Sequence, residues 1–190
     1  MTYVDPGKKD PPETRYGFFV EDDDRMAHRN HGQVFVQQGV VQEETDFAQM
    51  GLLGVFEYLI GNTDWSVAAL HNIVLVRDSV DSGNTIFPVP YDFDWSGVIS
   101  PPYAVPDSRL EIRSVRERLF RTGCRSAQDL APIFARFTSQ KDAIYALYRA
   151  QTGLEAKRVK QTLDYYDEFY RIINDPGATR RTMMVTCQGG

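Results

Sequence analysis

The chain has 190 residues, 42% hydrophobic, 12% aromatic and 25% charged, which is the composition of a folded globular protein and a length that suits one domain. That usage excludes disorder as the main state, and no apolar stretch reaches the roughly 18 unbroken residues of a membrane-spanning helix. Lys and Arg number 21 against 26 for Asp and Glu, a net charge of -5, which disfavours binding of DNA or RNA through a basic surface.

Residues 1–14, with Pro6, Gly7, Pro11 and Pro12, read as an irregular lead-in without the apolar centre of a signal peptide, followed by a single domain over 15–190. Tyr16 to Val20 is aromatic and β-branched and predicts a buried strand, closed by the like charges of Glu21 to Asp24. Asp24 to His31 suits a short helix with Gly32 as its stop. A longer helix follows Thr45 as N-cap, with Ala48, Leu52, Val55, Phe56 and Leu59 on its apolar stripe and Gly61-Asn62 as its end. Ile73 to Val76 and Ile86 to Val89, joined by Asp81-Ser82-Gly83-Asn84, predict a hairpin. Pro88 and Pro90 cannot donate to a ladder, so the second strand has a free edge.

Residues 96–108 read as a long ordered loop, and the chain beyond as helical. Ser126 with Asp129 and Ser139 with Asp142 resemble two capping boxes, each starting a helix. Gly153 separates these from a last helix whose stripe runs from Val159 to Ile173 and which Asp175-Pro176-Gly177 stops. Tyr165, Tyr166, Phe169 and Tyr170 belong to the core. Between Arg109 and Arg125 stand six arginines against two glutamates, which suit either an acidic or phosphorylated ligand or the neutralisation of the aspartates and cover of apolar surface. Cys124 and Cys187 are too few for a zinc framework and allow one disulfide or none. His28 and His31 lack a third ligand for zinc.

The chemistry concentrates in Asn62-Thr63-Asp64, His71-Asn72 and Pro90-Tyr91-Asp92-Phe93-Asp94. A helix end, a loop and a hairpin return the chain to its starting point, so Asp64, Asn72 and Asp92 converge although Asp64 and Asp92 are 28 positions apart. Oxygen donors of this kind suit Mg²⁺ or Mn²⁺ held together with substrate phosphates. Phosphoryl transfer uses such a set: one Asp for the attacking hydroxyl, an amide and a second Asp for metal. His71 suits a metal ligand, a base or, as the stronger reading, a hydrogen-bonding residue that shapes the loop.

These motifs resemble the C-terminal lobe of a protein-kinase-like fold, most closely the atypical CotH-type spore-coat kinases and more distantly the HipA-like kinases. Asp64 precedes Asn72 by eight positions where ordinary kinases have five, and this longer spacing, together with the ending Pro90-Tyr91-Asp92-Phe93-Asp94, is similar to the CotH-type pattern. The resemblance implies that Asp64 is the catalytic-loop acid, that Asn72 and Asp92 hold metal, and that Asp94, standing where glycine would be, is a second metal ligand or an ion-pair partner. It also implies a last N-lobe strand at Tyr16–Val20 and a nucleotide-contacting hinge at Glu21 and Asp22.

The fold expected is therefore α+β, a mainly helical kinase-like C-lobe with a small β-hairpin and the N-terminal lobe largely missing. No Gly-rich loop and no Val-Ala-x-Lys strand precedes Tyr16. The chain thus holds the metal half of such a kinase without the half that clamps nucleotide, either as a piece of a longer protein or as a protein without classical activity. The expected function is transfer of phosphate from ATP, with Mg or Mn, to a protein or small-molecule hydroxyl. The alternatives are a pseudokinase-like binding module and a metal-dependent hydrolase.

Overall fold

In the computed structural model, which describes residues 2–3, 7, 13–14, 17–79 and 84–184, the chain adopts an α+β fold. In order its elements are β1 (Thr2–Tyr3), β2 (Glu13–Thr14), α1 (Asp23–Arg29), β3 (Gly32–Val34), a 3₁₀ turn (Gln42–Glu44), α2 (Phe47–Ile60), β4 (Ile73–Asp78), β5 (Ile86–Pro90), α3 (Ala127–Ala150), α4 (Ala156–Ile173) and α5 (Pro176–Met183). Strands β3, β4 and β5 form one antiparallel sheet in that spatial order, and β1 pairs with β2 within the stretch expected to be irregular.

The hairpin forms as its alternation predicts, with Ile73 opposite Pro90 and Arg77 opposite Ile86. β5 lies at the edge of the sheet, where its two prolines face no further strand that would need their missing N–H groups. The turn residues 81–83 lie outside the described residues. β3 was not anticipated, because three residues carry too little alternation to stand out. It pairs through Val34 and Val76, and Phe35 N–H donates to the Leu75 carbonyl at 2.8 Å.

Helix α2 is the hub. Nine of its fourteen residues are buried, so it is covered all round rather than along one stripe. Met50 and Leu53 pack with Val40, Trp65, Ile73 and Leu75 on the sheet side. Val55, Tyr58 and Leu59 pack with Leu130, Phe137, Tyr166 and Phe169 of α3 and α4. The aromatic run of α4 is core, as its pattern indicates.

Several boundaries differ from the sequence reading for local reasons. Asp22 and Asp46, not Thr45, are the caps of α1 and α2, accepting from Arg25 N–H at 3.1 Å and Gln49 N–H at 2.7 Å. His31, with φ of 59°, takes the left-handed position after α1, and Gly32 begins β3 instead of stopping the helix. The capping box at Ser126 and Asp129 forms. That at Ser139 does not: its hydroxyl donates to the Arg136 carbonyl at 2.8 Å, and α3 runs on through it. Asp175-Pro176 ends α4 and also starts α5, with Asp175 as cap and Pro in the first turn. Residues 109–126 are irregular, not helical. Cys124 is disulfide-bonded; Cys187, the other cysteine of the chain, lies outside the described residues.

The segment Gly17–Val20 is neither a strand nor buried: Phe18 and Phe19 are 85% and 92% exposed. A strand needs a partner ladder and a cover for its apolar face, and among the described residues none pairs with it.

The arginine-rich segment completes the end of α2. Gly61, with φ of 68°, occupies the left-handed position there, and a Cβ would collide with the Tyr165 hydroxyl. Arg118, 6% exposed, donates from Nε to the Tyr58 carbonyl at 3.0 Å and from Nη2 to those of Leu59 and Tyr165. Val98 and Gly97 N–H groups close the Ile60 and Gly61 carbonyls, each at 3.0 Å. A cation at this end also meets the negative pole of the helix. Arg118→Ala leaves several buried carbonyls without donors and is expected to cost about 3 kcal/mol in urea denaturation, with Arg118→Lys recovering only part of it.

Candidate functional site

The stretch after α2 is built by short, local hydrogen bonds. Asn62, 1% exposed, accepts from the Asp64 N–H through Oδ1 at 3.0 Å, an Asx turn that sends the chain back over the helix end. Residues 66–71 then close on themselves. Ser66 and His71 exchange two backbone bonds of 2.9 and 3.0 Å, and Leu70 N–H donates to Val67 at 3.1 Å. Leu70 and Asn72 sit at φ of 52° and 54°, costly for residues other than glycine and held by this closure. The eight-position separation of Asp64 and Asn72 is thereby reduced to direct contact.

Asn72 Nδ2 donates to the Asp64 backbone carbonyl at 2.7 Å and to its Oδ2 at 3.2 Å. On the other carboxylate oxygen, His71 Nε2 lies 2.9 Å from Oδ1. Both oxygens of Asp64 are thus oriented. The Asn72 carbonyl accepts from Tyr91 N–H at 3.0 Å, so the base of the hairpin brings Asp92 to the same end of the sheet. Asp64 and Asn72 are in direct contact, Asp92 follows the residue bonded to the Asn72 backbone, and His71 bonds within the loop.

Asp92 and Asp94 lie on an exposed turn beyond the hairpin. β5 ends at Pro90 and Asp92 has φ of 55°, so the strand does not continue and does not put the two acids on one face. Both are exposed, and no burial cost has to be offset. Asp92 Oδ1 accepts from Asp94 N–H at 3.3 Å, and Asp94 Oδ2 accepts from the Tyr103 hydroxyl at 3.1 Å. Glu21 and Asp22 lie elsewhere in local roles: Glu21 pairs with Arg29 at 2.9 Å, and Asp22 caps α1.

Among the described residues no three His, Cys, Asp or Glu side chains cluster closely enough to hold a metal ion by themselves. The donor set of Asn72 and Asp92 fits a different kind of site. Asn72 spends its amide N–H on Asp64 and leaves Oδ1 without a hydrogen-bond partner among the described residues, and Asp92 is exposed to solvent. One carboxylate and one amide oxygen suit a hard divalent cation that takes its remaining ligands from phosphates and water.

Beside Asp64 opens a cavity of about 590 Å³, walled by Asp64, Trp65, His71, Trp95, Arg109 and Arg121, with Val105, Leu110 and Val115 among its apolar lining. Neither Asn72 nor Asp92 reaches it. Arg121 Nη1 donates to the Thr63 and Trp65 carbonyls, at 2.5 and 2.8 Å, on either side of Asp64. Arg109 forks onto Asp107 and pushes its carboxyl down to about 2. These arginines mostly bind backbone carbonyls and lie over aromatic rings, Arg118 over Tyr165 and Arg121 over Trp65, a use intermediate between the ligand site and the covered surface expected of them. The cavity itself was not legible in the sequence, since its walls come from three separate segments.

Beneath the loop, Glu57 of α2 is 2% exposed, and neither carboxylate oxygen has a hydrogen-bond partner. Burial pushes its carboxyl up to about 8, the nearby Asn62 amide acting in the opposite direction. Its one sequence signal is a lone acid inside Leu-Leu-Gly-Val-Phe-Glu-Tyr-Leu-Ile.

Comparison with known proteins adds no family: no family model matches the chain, and no curated protein or solved structure matches it.

Glu57 has a consequence for stability. The folded protein keeps a proton that the unfolded chain releases above its ordinary value of 4.5. Stability is therefore complete at low pH with respect to this group and falls as pH rises from about 4.5 to about 8. Glu57→Gln, which stays neutral, should flatten that part of the profile of urea midpoint against pH.

Proposed function

We propose that this chain is the catalytic, metal-holding part of a kinase-like phosphotransferase, moving a phosphoryl group from ATP to a hydroxyl. The observation that carries the reading is the joint anchoring of Asp64 and Asn72, with Tyr91, the residue before Asp92, bonded to the Asn72 carbonyl at the hairpin base. Phosphoryl transfer asks the protein mainly for positioning and charge, and these residues supply both.

In this reading Asp64 accepts the hydrogen bond of the attacking hydroxyl and then its proton. His71 and Asn72 restrict the carboxylate to one orientation, so that the incoming hydroxyl meets a fixed acceptor. Asn72 through Oδ1 and Asp92 would hold Mg²⁺ or Mn²⁺, which when bound bridges and neutralises phosphate oxygens. Asp94 serves as a support: its bond to Tyr103 and the N–H it gives Asp92 stiffen the turn that carries Asp92. The kinase-like C-lobe arrangement belongs to the same proposal, supported by the order of helix, catalytic loop, hairpin and acidic turn.

A second reading, phosphate-ligand binding without turnover, is favoured by one specific observation. Glu21 and Asp22, assigned to nucleotide contact by resemblance, are engaged with Arg29 and the start of α1.

Calorimetric titration of ATP with and without Mg²⁺ or Mn²⁺ separates the two. The phosphotransferase reading expects metal-dependent binding, weakened at least about tenfold in Asp92→Asn. Asp64→Asn should keep that binding and lose turnover by about 10²- to 10⁴-fold. Absence of nucleotide binding in the unaltered chain overturns the reading; binding without turnover under any acceptor moves it to the second.

A further inference from the structure

The cavity beside Asp64 contains a cation with an unused binding edge. Arg121 makes both of its backbone bonds through Nη1. Nε and Nη2, the edge of a guanidinium that forms parallel pairs with carboxylate or phosphate oxygens, have no hydrogen-bond partner among the described residues. No carboxylate of the described residues lies within ion-pair distance of Arg121: Asp107 is taken by Arg109, and Asp64 by His71 and Asn72. Trp65 also lines this wall, 3% exposed, with its indole Nε1 sealed away from solvent.

Position decides what such a site would serve. Arg121 holds the carbonyls on both sides of Asp64, so an anion on its free edge lies next to that acid. Asn72 and Asp92, the metal side, do not line the cavity. The cavity therefore meets Asp64 at a wall that Asn72 and Asp92 do not share. Its volume, about 590 Å³, is that of a small-molecule or single side-chain site, and Arg121 and Arg109 are the cations in its lining, the latter already paired with Asp107.

We propose that this cavity is an anion site in which Arg121 holds a carboxylate or phosphate group carried by the acceptor, placing the acceptor's hydroxyl at Asp64. The anion site stands on the cavity and its donors alone; its assignment to an acceptor rests on the phosphotransferase reading. The acceptor class that follows is a hydroxy compound bearing a carboxylate or a phosphate a few bonds from the hydroxyl.

The chain's own fluorescence gives the test. Its two tryptophans, Trp65 and Trp95, both line this cavity, so their emission reports on it directly. The unaltered protein is titrated with inorganic phosphate and, separately, with acetate, at constant ionic strength. A saturable change is expected with at least one, phosphate alone marking a phosphorylated acceptor and acetate alone a carboxylated one. Arg121→Lys, which keeps a donor for the Thr63 and Trp65 carbonyls but loses the fork, should weaken binding at least about tenfold. Arg109→Gln, on an exposed arginine already paired with Asp107, should change it less.

No saturable response to either anion, or a response equal in Arg121→Lys, overturns the proposal. If Arg121→Lys does not fold, phenylglyoxal modification of the unaltered protein replaces it: phosphate must protect Arg121, read by peptide mass, and failure to protect overturns the anion site. Anion binding without ATP binding removes the phosphotransferase reading and leaves the anion site. ATP binding without anion binding does the reverse.

Discussion

The backbone carbonyls at the C-terminal end of α2 are the constraint on which the remaining structure depends. A helix end leaves four carbonyls without intrahelical donors, and this end lies inside the protein, where water cannot serve them. Arg118 reaches the carbonyls of Tyr58 and Leu59, and the N–H groups of Val98 and Gly97 reach those of Ile60 and Gly61. Arg121 continues the same pattern one step further, onto Thr63 and Trp65. The irregular segment that follows the hairpin is therefore held by the helix end as much as it holds it.

This arrangement makes the site stiff without regular structure. Asp64 lies on a loop, yet its N–H, its carbonyl and both carboxylate oxygens are engaged with Asn62, Asn72 and His71. The two left-handed residues, Leu70 and Asn72, cost energy that the Ser66–His71 closure and the hairpin base offset. Asp92 and Asp94 are different in kind. They are solvent-exposed and joined through a single turn, which leaves room for ligands that bring their own charge. Asp64 and Arg121 line a common cavity.

Legibility followed the range of the interactions. The hairpin, the free edge of β5, the aromatic core of α4 and the contact of Asp64 with Asn72 rest on β-branched runs, turn residues, helical period and short chain returns, all of which neighbouring residues express. The caps moved by one residue because Asp46 competes with Thr45 for the same role, and its carboxylate prevailed. Ser139 misled because a serine three residues before an acid looks alike at a helix start and inside a helix, where the hydroxyl returns to a carbonyl behind it. The segment at Phe18 and Phe19 misled because apolar composition shows what a strand would bury and not whether a partner is there.

What the sequence by itself determined is the set of local elements and the chemical character of the loop, since capping, turn geometry and two- or 3.6-residue periods are settled within a few positions. Tertiary structure alone decided which carbonyls the arginines serve, that Glu57 is sealed without partners, and that Trp65, Trp95 and Arg121 share one cavity with Asp64. Those outcomes depend on packing between distant segments, 56 to 60 positions apart for the bonds of Arg118 and Arg121 to the helix end and loop, and a long flexible arginine or an indole carries no mark in its neighbours of which distant group it will meet.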